Sequence, residues 1–217
     1  LSDGDVAEKT VDANEQHYEV PPEFFRKVLG KRLKYSCSLF NSQVTLDEAE
    51  NEMLELYIKR AGISNGQEIL DLGCGWGSFS LFAAAKFPDS KFTSISNSID
   101  QINFINNQAE KGNLKNINTI KMDVNNLSLN KKFDRIISIE MFEHLRNYKS
   151  ILSSLSEVLL DDGKVFIHIF CNKKLAYLYE VKNDLDWMTK YFFSGGIMPS
   201  KDIFSYFDEH LSLINQW

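Results

Sequence analysis

No run of about 18 apolar residues occurs in the 217-residue chain, so no segment is expected to span a bilayer. Proline and glycine are sparse, at 4 and 11 residues, and neither a repeat nor a low-complexity linker is present. Collagen, coiled coil and wholesale disorder are excluded as overall descriptions. Only three cysteines occur, Cys37, Cys74 and Cys171, odd in number and without CxxC spacing. That excludes a disulfide framework, gives no reason to expect a metal centre, and suits a reducing compartment, the cytoplasm. An excess of positive charge is also missing: 24 basic against 30 acidic residues give net charge −6. A nucleic-acid partner, which clustered Lys and Arg would hold, is not expected. The opening LSDGDVAEKT has neither a basic n-region nor an apolar h-region, so it does not read as a secretion signal.

What is present is an ordinary globular composition, with 43% hydrophobic and 25% charged residues. A chain of this size buries roughly 70% of its unfolded surface and builds a real core. Residues 1–16 are polar and expected to be mobile, and 1–45 as a whole is expected to form a polar segment and helical cap. Within it Lys27, Lys31, Arg32 and Lys34 read as a solvated basic face, or as a contact for anionic head groups. Thr45 with Glu48 makes a capping box that opens a helix ending near Gly62. Thereafter strands at 68–73, 91–96, 116–122, 133–139 and 163–170 alternate with helices at 78–86, 98–111 and 147–160. Ser98 with Gln101 reads as a second capping box. Apolar strands interleaved with helices mean an α/β fold, a doubly wound, mostly parallel sheet covered on both faces.

Such a sheet binds its ligand beyond the carboxyl ends of its strands, where the strand order reverses. The unusual residues stand at those ends. LDLGCGWG (70–77) sets Gly73, Gly75 and Gly77 between a strand and a helix, so a ligand can approach the backbone and an anion can meet free N–H groups. The GxGxG spacing departs from the dinucleotide fingerprint, and Asn97 stands where a ribose-binding acid is expected. Asp71 either holds an ammonium or orders the turn. In IEMFEHLRNY (139–148), Glu140, Glu143 and His144 fall at i, i+3 and i+4, which would put them on one side of a helical turn as a proton-handling cluster.

D-L-G-C-G-x-G closing a first strand resembles the nucleotide-binding motif of class I methyltransferases that use S-adenosylmethionine. The resemblance implies that Asn97 and Gln101 meet ribose hydroxyls, that Asp123 and Val124 meet adenine, and that Tyr35 and Ser36 join the cofactor site. MFEH, with YSCSLF (35–40) and FIHIFCNK (166–173), resembles the cyclopropane fatty-acid synthase superfamily. HYEVPPEFF (17–25), EMFEH and DWMTKYFFSGGIMPS (186–200) are most similar to its coclaurine N-methyltransferase branch. From that branch come a methyltransferase domain over 46–217 and a substrate-covering insertion at about 172–210. The implied reaction is N-methylation of a small-molecule amine, with Glu143 and His144 as acid–base pair and Glu140 binding the ammonium. Trp187, Tyr191 and Phe193 would line the substrate pocket, with Phe192–Gly196 as a lid hinge. Cys37, Glu143 and His168 match the bicarbonate site of the lipid-modifying synthases, so methylene transfer to an unsaturated acyl chain is the alternative, and a cofactor-binding module without turnover is a third. Relatives continue beyond LSLINQW, so the sheet is expected to lack its final antiparallel hairpin.

Overall fold

In β1 (Glu68–Leu72) alternate residues serve opposite faces of a sheet, because strand side chains repeat with a period of two. Ile69 packs with Tyr57 and Phe79 on one face, whereas Leu70 and Leu72 pack with Ile151 and Leu155 on the other. A strand apolar on both faces has to be covered on both, and helices do it here. The computed structural model describes residues 1–8, 21–42 and 44–217. The start of HYEVPPEFF, at 17–20, and most of the polar stretch before it lie outside the described residues.

Beyond β1 the chain runs through β2 (Lys91–Ser96), β3 (Ile117–Lys121), β4 (Phe133–Ile139) and β5 (Leu159–His168). Their order is β3-β2-β1-β4-β5 and every pairing is parallel. The chain therefore winds outward from β1 to β3, returns, and continues on the other side; the reversal falls between β1 and β4. The helices are α1 (Pro22–Val28), α2 (Leu46–Ala61), α3 (Ser78–Lys86), α4 (Ile99–Lys111) and α5 (Tyr148–Glu157). The Thr45–Glu48 capping box is formed in full, worth about 1 kcal/mol to the helix.

Several expectations are corrected. Ser98 caps α4, but the Gln101 side chain turns to Ser96 Oγ at 2.6 Å instead of completing a box. Helix α5 stops at Glu157 and β5 begins at Leu159, four residues earlier than the glycine at 163 suggested, with a register shift opposite Phe133–Arg135. Residues 1–8 are docked: Val6 and Ala7 are buried in the α5 core, and Ala7 exchanges two 2.9 Å hydrogen bonds with the Asn125 side chain. Lys34 is not a solvated base but 2% exposed. After β5 come the antiparallel pair β6 (Tyr177–Leu178) and β7 (Ile197–Met198), with α6 (Trp187–Tyr191) between them. No helix among the described residues is long and apolar enough to cross a membrane.

Candidate active site

A cleft of about 150 Å³ opens at the carboxyl ends of β1, β2, β3 and β4, where the strand order reverses. Every residue expected to hold a cofactor lines it: Tyr35, Ser36, Asp71, Gly73, Gly75, Asn97, Gln101, Asp123 and Val124. Gly73 has φ +76°, and a Cβ there would stand 2.6 Å from Met141 Cγ. At Gly75 (φ +53°) a Cβ would meet nothing within 4 Å, because the backbone there faces open space. Glycine is required at the first position by both conformation and packing. The turn is tied down where Gly73 and Cys74 N–H both donate to the Ile95 carbonyl, at 3.0 and 2.9 Å.

Asp71 is buried and accepts from Ser80 Oγ at 2.5 Å, and that hydroxyl also meets Ser94 at 2.7 Å. Burial raises its carboxyl to about 7, against the hydrogen bond from Ser80. Two buried donors facing this region, Trp76 Nε1 and Gln101 Nε2, have no hydrogen-bond partner among the described residues. A buried donor left unpaired costs about 1–3 kcal/mol.

The opposite wall carries Glu140, Met141 and His144. Here the expected helical turn is overturned. Glu140 sits in the left-handed region at φ +48°, and only Phe142–His144 form a 3-10 turn. Such a conformation costs a non-glycine residue about 1–3 kcal/mol and persists only where the surroundings fix it. The Glu140 N–H donates to the His168 carbonyl at 2.7 Å, and its Oε1 accepts from the Cys37 N–H at 2.9 Å. The kink therefore parts the three residues. Glu140 joins Cys37 and His168, whose ligand atoms all lie within 4.8 Å of one another. Glu143 is fully buried, does not line the cleft, and accepts from the Phe170 N–H at 2.9 Å. Its Oε2 has no partner among the described residues, and burial, aided by Glu140, raises the carboxyl to about 8. His144 reaches the cleft and stacks on Phe193, ring centres 5.1 Å apart.

Cys37 and His168 thus gather about Glu140 rather than Glu143, with Sγ to Nε2 at 3.8 Å. Burial and Glu140 push the Cys37 thiol up to about 11, so it is not a thiolate nucleophile at neutral pH. Trp187 and Tyr191 do not enclose the cleft; they are 58% and 61% exposed. From the expected lid only Ser194 lines it, while Phe193 packs on His144 and Phe170 and the Gly195 carbonyl accepts from Arg146 Nε at 2.6 Å. Lys34 and Tyr57 escaped sequence reasoning. A lysine in a basic run reads as solvated, and a tyrosine on an apolar helix stripe reads as core.

The profile of the mycolic acid cyclopropane synthetase family matches residues 6–214. The chain belongs to this family. Its parallel five-stranded sheet is the Rossmann-like fold of class I methyltransferases. Among relatives in the family's wider circle, the chain is 40% identical over 215 residues to (S)-coclaurine N-methyltransferase from Thalictrum flavum subsp. glaucum, an alignment covering 98% of this chain and 60% of that one. It superimposes with TM-score 0.94 and 39% identity on coclaurine N-methyltransferase bound to N-methylheliamine and SAH, over 99% of this chain and 62% of the other. The cyclopropane synthase MmaA2 from Mycobacterium tuberculosis shares the fold at TM-score 0.78 and 22% identity, over 94% and 74%. The chain spans about three fifths of the length of the N-methyltransferases it matches.

Proposed function

We propose that the chain is an S-adenosylmethionine-dependent methyltransferase that N-methylates a small-molecule amine. The observation that carries this reading is one cleft bounded by the glycine turn on one side and by Glu140 and His144 on the other. The residues fit the cofactor on their own chemistry. The orphan donors of Trp76 and Gln101 suit an acceptor-rich nucleoside, and the open space at Gly75 admits it against the backbone. Gly73 and Gly75 would hold the amino-acid end, Asn97 and Gln101 the ribose, and Asp123 and Val124 the adenine, with Tyr35 and Ser36 closing from the side. When bound, the cofactor supplies a methyl group activated by a sulfonium and leaves as S-adenosylhomocysteine.

The chain's part is to position an amine and remove its proton. With a pKa near 10.4, only about one alkylamine in a thousand is neutral at pH 7.4. Glu140 binds the ammonium from the cleft wall. Of the expected acid–base pair, His144 stands at the cleft and takes the proton, while Glu143, buried and outside the cleft, acts only from behind it. General acid–base help of this kind contributes about 10²–10⁴-fold. The coclaurine and pavine N-methyltransferases among the relatives support an amine acceptor over a lipid. The three free cysteines suit the cytoplasm.

The test is incubation with methyl-labelled S-adenosylmethionine and either a panel of arylalkyl amines or unsaturated phospholipid vesicles. Label in amines alone is the expected result. Label in lipid alone would replace this reading with methylene transfer, and label in neither would leave a cofactor-binding module.

A further inference from the structure

The buried ammonium of Lys34 is fully used. It donates to Ser36 Oγ at 2.5 Å, to the Cys37 carbonyl at 2.6 Å and to the Tyr57 hydroxyl oxygen at 3.1 Å. An ammonium has three donors and no acceptor, so Tyr57 must accept here and place its own proton elsewhere. The same hydroxyl stands 3.1 Å from His168 Nδ1. Ser36 Oγ, already engaged by the ammonium, and Nδ1 are the acceptors within reach; a Tyr57 proton given to Nδ1 leaves the neutral ring with its own proton on Nε2, the nitrogen 3.8 Å from Cys37 Sγ. Glu140 Oε1 lies 3.8 Å from that same Nδ1. Were both ring nitrogens protonated, the imidazolium would pair with Glu140 and take up the charge meant for a substrate cation.

We propose that Lys34 is a positioning residue: acting through Tyr57, it locks His168 as the neutral Nε2–H tautomer and so leaves the Glu140 carboxylate to the amine. The consequence for the amine rests on the function proposed above; the tautomer does not. Burial, Lys34 and Arg60 of α2 lower the proton affinity of His168, Glu140 raises it, and the net direction is downward. Lys34 is itself pulled down to about 8 by burial, against Glu140, Cys37 and Glu50. Its hold on the ring therefore weakens above pH 8.

Long-range ¹H–¹⁵N spectra of the imidazoles test this on the chain alone from pH 5 to 9, with His168→Gln assigning the ring. In the wild type the Nε2–H tautomer is expected, titrating below the ordinary histidine value of about 6.5. In Lys34→Met the midpoint rises by about one unit as the repelling cation is lost. Lys34→Arg keeps the wild-type midpoint, and Tyr57→Phe brings up an Nδ1–H population. With the amine of the panel that takes up most label as substrate, Lys34→Met raises KM about tenfold and leaves kcat within about threefold. An Nδ1–H ring in the wild type overturns the proposal. So does an unchanged His168 in Tyr57→Phe, a variant that keeps the ring packing should Lys34→Met fail to fold. Absence of turnover in every protein would contradict the amine reading, while the ring spectra would still decide the role of Lys34.

Discussion

The two walls of the cleft are built on different principles. The wall from β1, β2 and β3 is mostly backbone and polar side chains whose acids are held in place, Asp71 by Ser80 and Asp123 as a cap: a glycine turn, two unpaired donors and a second cap at Ser98 complete it. The wall from β4 is strained, with Glu140 in a left-handed conformation beside His144, and titratable groups stand behind it: Glu143 buried as an acid and His168 wired to Lys34, neither of which lines the cleft. A wall of fixed dipoles suits a ligand that must only be held. A wall of shifted acids and bases suits one whose proton must move.

If the walls are separable, substitutions should divide between them. The largest effect is expected at Gly73→Val, where the new side chain meets Met141 and a positive φ together; affinity for S-adenosylhomocysteine by calorimetry should fall at least about 100-fold, or roughly 2.7 kcal/mol. Glu140→Gln should lower kcat/KM for an amine about 10²-fold and change S-adenosylhomocysteine affinity by less than about threefold. Equal losses in both would mean that the walls are one unit. Gln101→Ala removes one buried donor and should weaken S-adenosylhomocysteine about fivefold, consistent with about 1 kcal/mol for a hydrogen bond, without altering the pH dependence of turnover.

Glu143→Gln sharpens the comparison through stability. The folded pKa of about 8 lies above the ordinary value, so the protonated form stabilises the fold. That contribution is complete below about pH 4.5 and is lost as pH rises toward 8. The glutamine variant should match the wild type near pH 4.5 and melt about 2–4 °C higher at pH 8 by thermal denaturation. Trp187→Ala, at an exposed side chain outside the cleft, should change neither affinity nor turnover by more than about twofold.

The same division explains what could be read beforehand. The strand–helix alternation and the cofactor wall follow from local signals: period-two apolar strands, glycines at a strand end, and polar residues at the next two ends. Asn97 and Asp123 fall on the cleft as strand-end residues, and Gln101, which the resemblance implied, joins them. Glu140 shows the limit. Its i, i+3, i+4 spacing to Glu143 and His144 carries meaning only if the backbone is helical, and a left-handed glutamate is dictated by partners over a hundred residues away, such as the Cys37 N–H. Lys34 fails for a related reason: its burial is set by Tyr57 and Glu140, which no neighbouring residue announces. Trp187 and Tyr191 read as pocket walls because they are aromatic, yet aromatic composition does not say which face turns inward.

A crystal structure with S-adenosylhomocysteine and an amine bound together is the most direct measurement. The sulfur is expected between the Gly73–Gly75 turn and Glu140, with the amine nitrogen against the Glu140 carboxylate. Adenosyl density anywhere else, for instance in the groove beside Phe166 and Trp217, would contradict it.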